Sequence, residues 1–461
     1  MIQVHKKTVV ADGLTPVSAY AALRQQDGGG SFLLESVIGG DRWARYSILG
    51  YRPKKRVVLF GKSGTDPFTE LSRLAPCGTE EFAEPADRFA TAHVGMLAYD
   101  MVHFVTKVPT WPAEQQGPIA RLLGDCTVVV FDHLKKTMTI ASTEAPDVEL
   151  AERHLRTATL PDLMPPPDVS ALRSDIVLSQ NDEEYSAVVE RCREYIRAGD
   201  AFQIVPARTF SVPTKGADPF YVYRFLRVLS PAPYMYFLDL PEEAGAPALA
   251  IAGASPETLV RVEGGHVYLR PIAGTRRRGR TEAEDDALAA EMMADPKEIA
   301  EHVMLIDLAR NDIGRIAEHG SVSVPHRMFV ERYSHVMHIT SDVQGKVRSD
   351  VTPWDVIRAT FPAGTLSGAP KVRAMQIIRE LEGRPRGLYG GAIGYVTRGS
   401  DLDLAIGIRT VVKRGDRFEV TAGAGIVADS DARLECLETR NKARAALAAI
   451  EAARQVAGAT S

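Results

Sequence analysis

The stretch that most constrains this chain lies near its C-terminus. From Thr421 to Leu447, TAGAGIVADSDARLECLETRNKARAAL reads as a strand, a glycine-rich turn and a helix in direct succession. Phe418 and Val420 alternate with polar neighbours, the period of a strand with one buried face. Gly423 and Gly425 permit close backbone approach and positive φ. Ser430 is the expected N-cap of a helix rich in Ala, Leu and Arg. On that helix Glu435 and Glu438 stand three residues apart, with Lys442 four further on, so all three share a face. Paired carboxylates beside glycine amides suit a hard cation and an anionic ligand.

The same device recurs in DPKEIAEHVMLIDLARNDIGRI, where Glu298 and Glu301 are again i and i+3. Ile299, Val303, Ile306 and Ile313 mark a neighbouring apolar stripe, which puts the carboxylates beside the buried face. One E-x-x-E on a helix is ordinary for a solvated face. Two such pairs around one site would repel unless a cation lay between them. Mg²⁺ fits, because it takes one or two carboxylates directly and keeps waters that others can hold.

A chain of 461 residues has room for two or three average domains or one large interwoven one. A net charge of −4 gives no support to nucleic acid or a membrane surface as partner. Cys77, Cys126, Cys192 and Cys436 form neither C-x-x-C nor a regular framework, which argues for a reducing compartment and against a structural zinc site. The opening MIQVHKKTVVADG has no apolar signal core, and no apolar run approaches the ~20 residues that cross a bilayer. A cytoplasmic protein is expected.

Along the chain, a helix is expected over residues 14–25, with Pro16 in its first turn. SFLLESVIGG, WARYSILGYRP and RVVLF follow as strands. Glu35 and Ser36 interrupt the first of these, as residues at a sheet edge or a turn do. LPDLMPPPD is the clearest linker. It separates a β-rich region, 1–160, through a linker, 161–175, from the remainder, 176–455. Asn181 and Glu184 form an N-cap pair, and AFQIVPARTFSV continues as a strand with Gln203 near its start. Arg276, Arg277 and Arg278 have the composition of a solvated turn. Pro370 opens a helix after the glycine-rich FPAGTLSGAP. Runs of strands broken by single helices indicate an α+β fold with antiparallel sheets.

Several motifs fail on inspection. Gly423-x-Gly425-x-x-Ala428 lacks the directly following helix and the acidic residue of a dinucleotide fingerprint. Gly364 to Lys371 lacks the ending of a phosphate-binding loop. His335 and His338, i and i+3 on a strand, point to opposite faces and make a poor zinc pair.

A set of longer motifs, in order, resembles the chorismate-utilising enzymes and, among them, the large subunits of anthranilate synthases. They are LLES (33–36), AFQIVPARTF (201–210), PYMYF (233–237), GASPE (253–257), PIAGTRRRG (271–279) and EHVMLIDLARND (301–312). YSHVMH (333–338), FPAGTLSGAPKVRAM (361–375), GLYGGAIGY (387–395), AIGIRT (405–410) and GAGIVADS (423–430) continue them, and the E-x-x-E-x-x-x-K helix completes the set. The resemblance covers nearly the whole chain. It implies antiparallel sheets packed as a sandwich with flanking helices.

It also implies a site. Glu301 and Glu438 would hold Mg²⁺, with Glu298 and Glu435 beside them, and the metal would receive the ring carboxylate of chorismate. Arg409 and Tyr389 match the positions that hold the enolpyruvyl carboxylate. Gly274, Thr275 and the backbone of Gly423, Ala424 and Gly425 match other substrate contacts, and Lys442 adds positive charge. Glu257 occupies the acid position, and a proton donor there needs a raised pKa. His338 assists proton handling or orientation. Relatives that add water carry Lys where this chain has Gln203; aminodeoxychorismate synthases carry Lys where it has Ala273. Both differences favour amination at C2. Ala432 stands where many relatives have proline.

LLES and PYM match a tryptophan-feedback site, which assigns Ser36, Pro233, Tyr234 and Met235 to the inhibitor L-tryptophan. The chain shows no glutaminase segment, so ammonia is expected from a separate glutamine amidotransferase small subunit (component II). The alternatives are an aminodeoxychorismate synthase component I and a catalytically inactive regulator that binds chorismate or tryptophan.

Overall fold

A computed structural model describes residues 2–460 other than 27, 37–44, 63, 79–81, 83, 159–163, 165, 167–174 and 334–335. Two large antiparallel sheets organise these residues. One has the strand order His5–Val10, Thr137–Ser142, Thr127–Asp132, Tyr46–Tyr51, Ser31–Glu35, Tyr234–Leu240, Leu249–Ser255, Thr410–Arg414, Arg417–Gly423, Ala207–Pro213 and Val177–Leu178. The other runs Ile272–Arg277, Val336–Lys346, His266–Leu269, Thr258–Glu263, Leu402–Ile406, Ala392–Val396, His93–Leu97, Pro118–Gly124 and Lys55–Phe60, with Ser323–Arg332 also on Val336–Lys346. Strands from before and after residue 160 therefore lie in both sheets. The expected linker, 161–175, falls outside the described residues except for Met164, Pro166 and Asp175.

Alternation within single strands shows how the layers stack. Phe32 points into a cluster with Val94, Met96, Leu123 and Ile393, which come from the second sheet, so the two sheets face each other there. Its neighbour Leu33 points the other way, among Tyr20, Phe220, Tyr223 and Ile450 of the helices Pro16–Leu23, Pro219–Leu229 and Ala432–Thr460. On the far side of the second sheet, Leu122 and Val260 pack with Ile306, Trp354 and Met375 of three further helices. The fold is α+β, a two-sheet sandwich with helices on both outer faces. Each layer buries large side chains outright, which is worth about 1.5–3 kcal/mol apiece.

Local signals act where they are strong. Asn181 and Glu184 form a reciprocal capping box on the helix Asp182–Arg197, and Gly199 follows its end at φ +86°. Pro16 and Pro370 sit at or just before the first residue of their helices.

Four expectations are corrected. Glu35 is at neither an edge nor a turn: Ser31–Glu35 lies inside the sheet, and the carboxylate accepts from Tyr223 Oη at 2.5 Å and from Arg227. Tyr46–Tyr51 and Tyr234–Leu240 flank this strand on either side and leave no edge, so a charge buried there needs partners. AFQIVPARTF is two strands: Gln203–Ile204 pairs with Gly368–Ala369, and Ala207–Pro213 joins the large sheet. Pro206, with no N–H, marks the break. Arg276 and Arg278 are not freely solvated; they pair with Glu298 and Asp285 at 2.9 and 2.7 Å. The buried stripe of Pro296–Gly314 runs through His302, Leu305, Ile306, Ala309 and Ile313, with Val303 only half-buried.

Candidate active site

The glycine turn after Arg417–Gly423 delivers the long helix to the site. Its N-cap is Asp431, not Ser430: Asp431 Oδ1 accepts from Leu434 N at 3.0 Å, and Ser430 Oγ accepts from Val427 N at 3.1 Å. Either residue type can cap, and the turn geometry selects the later one. Further along the helix, Lys442 Nζ reaches Glu438 at 2.6 Å and the carbonyl of Gly423 at 3.0 Å, tying the helix back to the turn.

Gly423 has no room for a side chain. A Cβ there would sit 2.6 Å from Pro206 O and 2.7 Å from Tyr389 Oη. Ala424 turns its methyl into a cluster with Ile204, Ile426 and Cys436, and its N–H donates to Pro206 O. A Cβ on Gly425 would lie 3.0 Å from Gln203 Nε2, which itself donates to Glu301 Oε1 at 3.1 Å. The turn thus joins Tyr389 on one side and, through Gln203, the second carboxylate helix on the other.

On that helix Glu298 accepts from Arg276 at 2.9 Å, and its other oxygen is 3.2 Å from where a Cβ on Gly274 would stand. Gly274 has φ +64°. Its carbonyl and the Thr275 hydroxyl both lie against His338 Nδ1, at 3.0 and 3.1 Å. Burial lowers the His338 pKa; the Gly274 carbonyl opposes this and the nearby Arg409 adds to it. His335 lies outside the described residues.

Arg409 ends its strand connection at φ +51°, a left-handed conformation that costs a residue with a Cβ about 1–2 kcal/mol. Burial lowers its pKa, against the influence of Tyr389 and Glu438 close by. Glu257 is partly buried and accepts from Thr365 Oγ1 at 2.8 Å. Burial pushes its carboxyl up to about 7, moderated by the Thr365 bond and by Lys442. Thr365 and Arg276 were not singled out from sequence. Thr365 sits in a glycine-rich loop that named no partner, and Arg276 in a run that looked solvated. A cavity of about 60 Å³ opens between Glu257, Thr365, Pro271 and Leu305. A larger one, about 460 Å³, has Tyr389 and Arg386 on its wall but neither Glu257 nor the four glutamates of the two helices.

The four glutamates supply hard oxygen donors of the type Mg²⁺ takes. Burial raises the pKa of Glu435, Ser430 opposes this and the charge of Glu438 adds to it, a repulsion that a cation would relieve. Among the described residues no three His, Cys, Asp or Glu side chains converge as a ready cage.

Away from this site, Met235 pairs with Glu35 across adjacent strands, so Ser36 and the segment Pro233, Tyr234, Met235 are neighbours. Tyr234 Oη bonds Thr258 Oγ1 at 2.8 Å and Asp403 at 2.9 Å. Burial pushes Asp403 up to about 6, against Arg261 and Tyr234.

Among the described residues no helix is long and apolar enough to cross a membrane. The family model for chorismate binding enzymes matches residues 32–448. Anthranilate synthase component 1 of Pseudomonas aeruginosa is 42% identical over 97% of this chain and 95% of its own length. That of Acetivibrio thermocellus is 41% identical over the same shares. The crystal structure of anthranilate synthase component I from Streptococcus pneumoniae superposes with a TM-score of 0.76 at 36% identity, covering 95% of this chain and 99% of that one. The menaquinone-specific isochorismate synthase of Escherichia coli, 18% identical with a TM-score of 0.74, shares the fold. The chain belongs to the chorismate-binding enzyme family, within its group of anthranilate synthase component 1 proteins.

Proposed function

We propose that this enzyme converts chorismate and ammonia to anthranilate, pyruvate and water, the committed step towards tryptophan. The observation that carries this reading is Glu257. A carboxyl near pKa 7 is half protonated at neutral pH, which suits a donor to a departing hydroxyl. Ammonia adds at C2 as the C4–O bond breaks, and Glu257 gives the leaving oxygen its proton. Pyruvate is then eliminated and the ring becomes aromatic. Gln203 and Ala273 offer no lysine, in keeping with ammonia, already a nucleophile, as the attacking group.

Arg409 and Tyr389 hold the enolpyruvyl carboxylate, and Lys442 adds positive charge beside Gly423. Glu301 and Glu438, with Glu298 and Glu435 beside them, would hold Mg²⁺, which would neutralise the ring carboxylate. His338, fixed by Gly274 and Thr275, orients or relays a proton. Ammonia reaches the site from a glutamine amidotransferase small subunit. L-Tryptophan inhibits from Ser36, in a regulatory region, 1–160, together with Pro233, Tyr234 and Met235 of the catalytic region, 176–455, that follows it. A cytoplasmic setting fits free cysteines and a small-molecule substrate.

The test is anthranilate fluorescence from the purified chain with chorismate, Mg²⁺ and an ammonium salt, with and without EDTA and tryptophan. Metal-dependent anthranilate, suppressed by tryptophan, is expected. Chorismate consumed without anthranilate would overturn the reading in favour of another amination.

A further inference from the structure

One buried ion pair behind the site touches three of its walls at once. Glu382 is the last residue of the helix Lys371–Glu382, and Arg386 follows four residues on, past Gly383 at φ +66°. Their side chains are 5% and 3% exposed. The guanidinium binds both carboxylate oxygens, Nε to Oε2 at 2.9 Å and Nη2 to Oε1 at 2.5 Å. Its remaining donors go to backbone carbonyls: Nη1 to Leu366 O at 2.7 Å and Nη2 to Val205 O at 2.6 Å. Glu382 Oε1 also accepts from Ala207 N at 2.8 Å. The cationic plane lies against Tyr99 and Tyr389, 4.6 and 5.3 Å from the ring centroids.

These contacts read as a frame for the chemistry. Val205 and Ala207 flank Pro206 in the segment that carries Gln203. Leu366 follows Thr365, the hydrogen-bond partner of Glu257. The Tyr389 hydroxyl lies directly against Gly423, 2.7 Å from where a Cβ there would stand. A buried ion pair is a poor device for stability alone, because desolvation offsets most of its attraction and apolar residues of similar volume hold a core as well. What apolar residues cannot supply is directed bonding to two separate stretches of backbone, at 205–207 and at 366.

We propose that Arg386, locked to Glu382, is a positioning residue that sets the mutual placement of Gln203, Thr365 and Tyr389. The proposal rests on the site assignment given above.

Arg386→Lys keeps the charge and loses the planar fork. Steady-state kinetics with chorismate, Mg²⁺ and ammonium, normalised to folded protein by circular dichroism, should show kcat down about 30- to 100-fold. KM for chorismate should rise no more than about threefold, since Arg409 still holds a carboxylate. A wild-type kcat in this variant would overturn the proposal. Should the lysine variant fail to fold, the double variant Glu382→Met, Arg386→Met supplies a packed apolar pair. A folded double variant with kcat still reduced supports positioning, and one with wild-type kcat overturns it. The underlying assignment is read separately: if Glu257→Gln and Tyr389→Phe both turn over chorismate normally, it is that assignment which fails.

Discussion

The hydroxyl of Thr365 donates to the carboxyl of Glu257 at 2.8 Å, across a small cavity that also meets Pro271 and Leu305. The bond favours the charged form and so opposes burial, which dominates and leaves Glu257 at about 7. Thr365→Val removes the opposition. The pKa of Glu257 should rise, and the limb on which activity falls with increasing pH should move to higher pH. A pH profile of kcat measured against wild type checks this, and an unmoved limb would dissociate Glu257 from the proton donor.

The same shift has a stability consequence of definite sign. Between the usual carboxylate range and about pH 7 the folded chain holds a proton at Glu257 that the unfolded chain has lost. Its contribution is therefore present at low pH and is lost as pH rises through 7. Glu257→Gln should abolish turnover while stabilising the fold at pH 8 by about 1–2 kcal/mol, and have little effect on stability near pH 4. Denaturant melts at the two pH values measure the difference.

At Gly423 a methyl group would meet backbone oxygen at 2.6 Å and the Tyr389 hydroxyl at 2.7 Å. Gly423→Ala must displace one of them. The expected cost is about 1–3 kcal/mol of stability and at least tenfold in kcat/KM. Wild-type kinetics in a folded variant would mean that Tyr389 is not needed where it stands.

Glu438 already shares Lys442 with the Gly423 carbonyl. Replacing its charge, Glu438→Gln, should raise the Mg²⁺ concentration for half-maximal activity at least tenfold. The experiment is a metal titration at saturating chorismate after EDTA treatment. An unchanged Mg²⁺ requirement would remove Glu438 from the metal site.

Ser36 directly follows Glu35, whose partner on the adjacent strand is Met235, the residue after Tyr234. Ser36→Ala should raise the tryptophan concentration for half-inhibition at least tenfold, relative to the uninhibited rate of the same variant. Because coupling is reciprocal, chorismate should weaken tryptophan binding by the factor by which tryptophan weakens chorismate binding. Calorimetric titrations with each ligand, alone and with the other, test both.

Much of this was open to reading from residues alone, and for a stated reason in each case. The capping box at Asn181 and Glu184, the prolines at helix starts, and the Glu435, Glu438, Lys442 face all depend on neighbours within four residues. Their geometry follows from the helix itself. Glu35 shows the opposite case. Its charge suggested an edge, yet it lies inside a sheet because Tyr223 and Arg227, nearly two hundred residues away, supply its bonds. Arg276 likewise looked solvated until Glu298 met it across the fold.

The sequence by itself determined five of the helices, many of the strands and the two carboxylate pairs, because local periodicity and capping decide them; helices such as Ala145–Arg156, Pro219–Leu229 and Glu282–Ala294 were not read from it. Tertiary structure alone decided that Gln203 reaches Glu301 and that Thr365 holds Glu257. It also decided that burial takes Glu257 to about 7. Each of these depends on which distant segment excludes water or offers a donor, and no spacing along a chain encodes that.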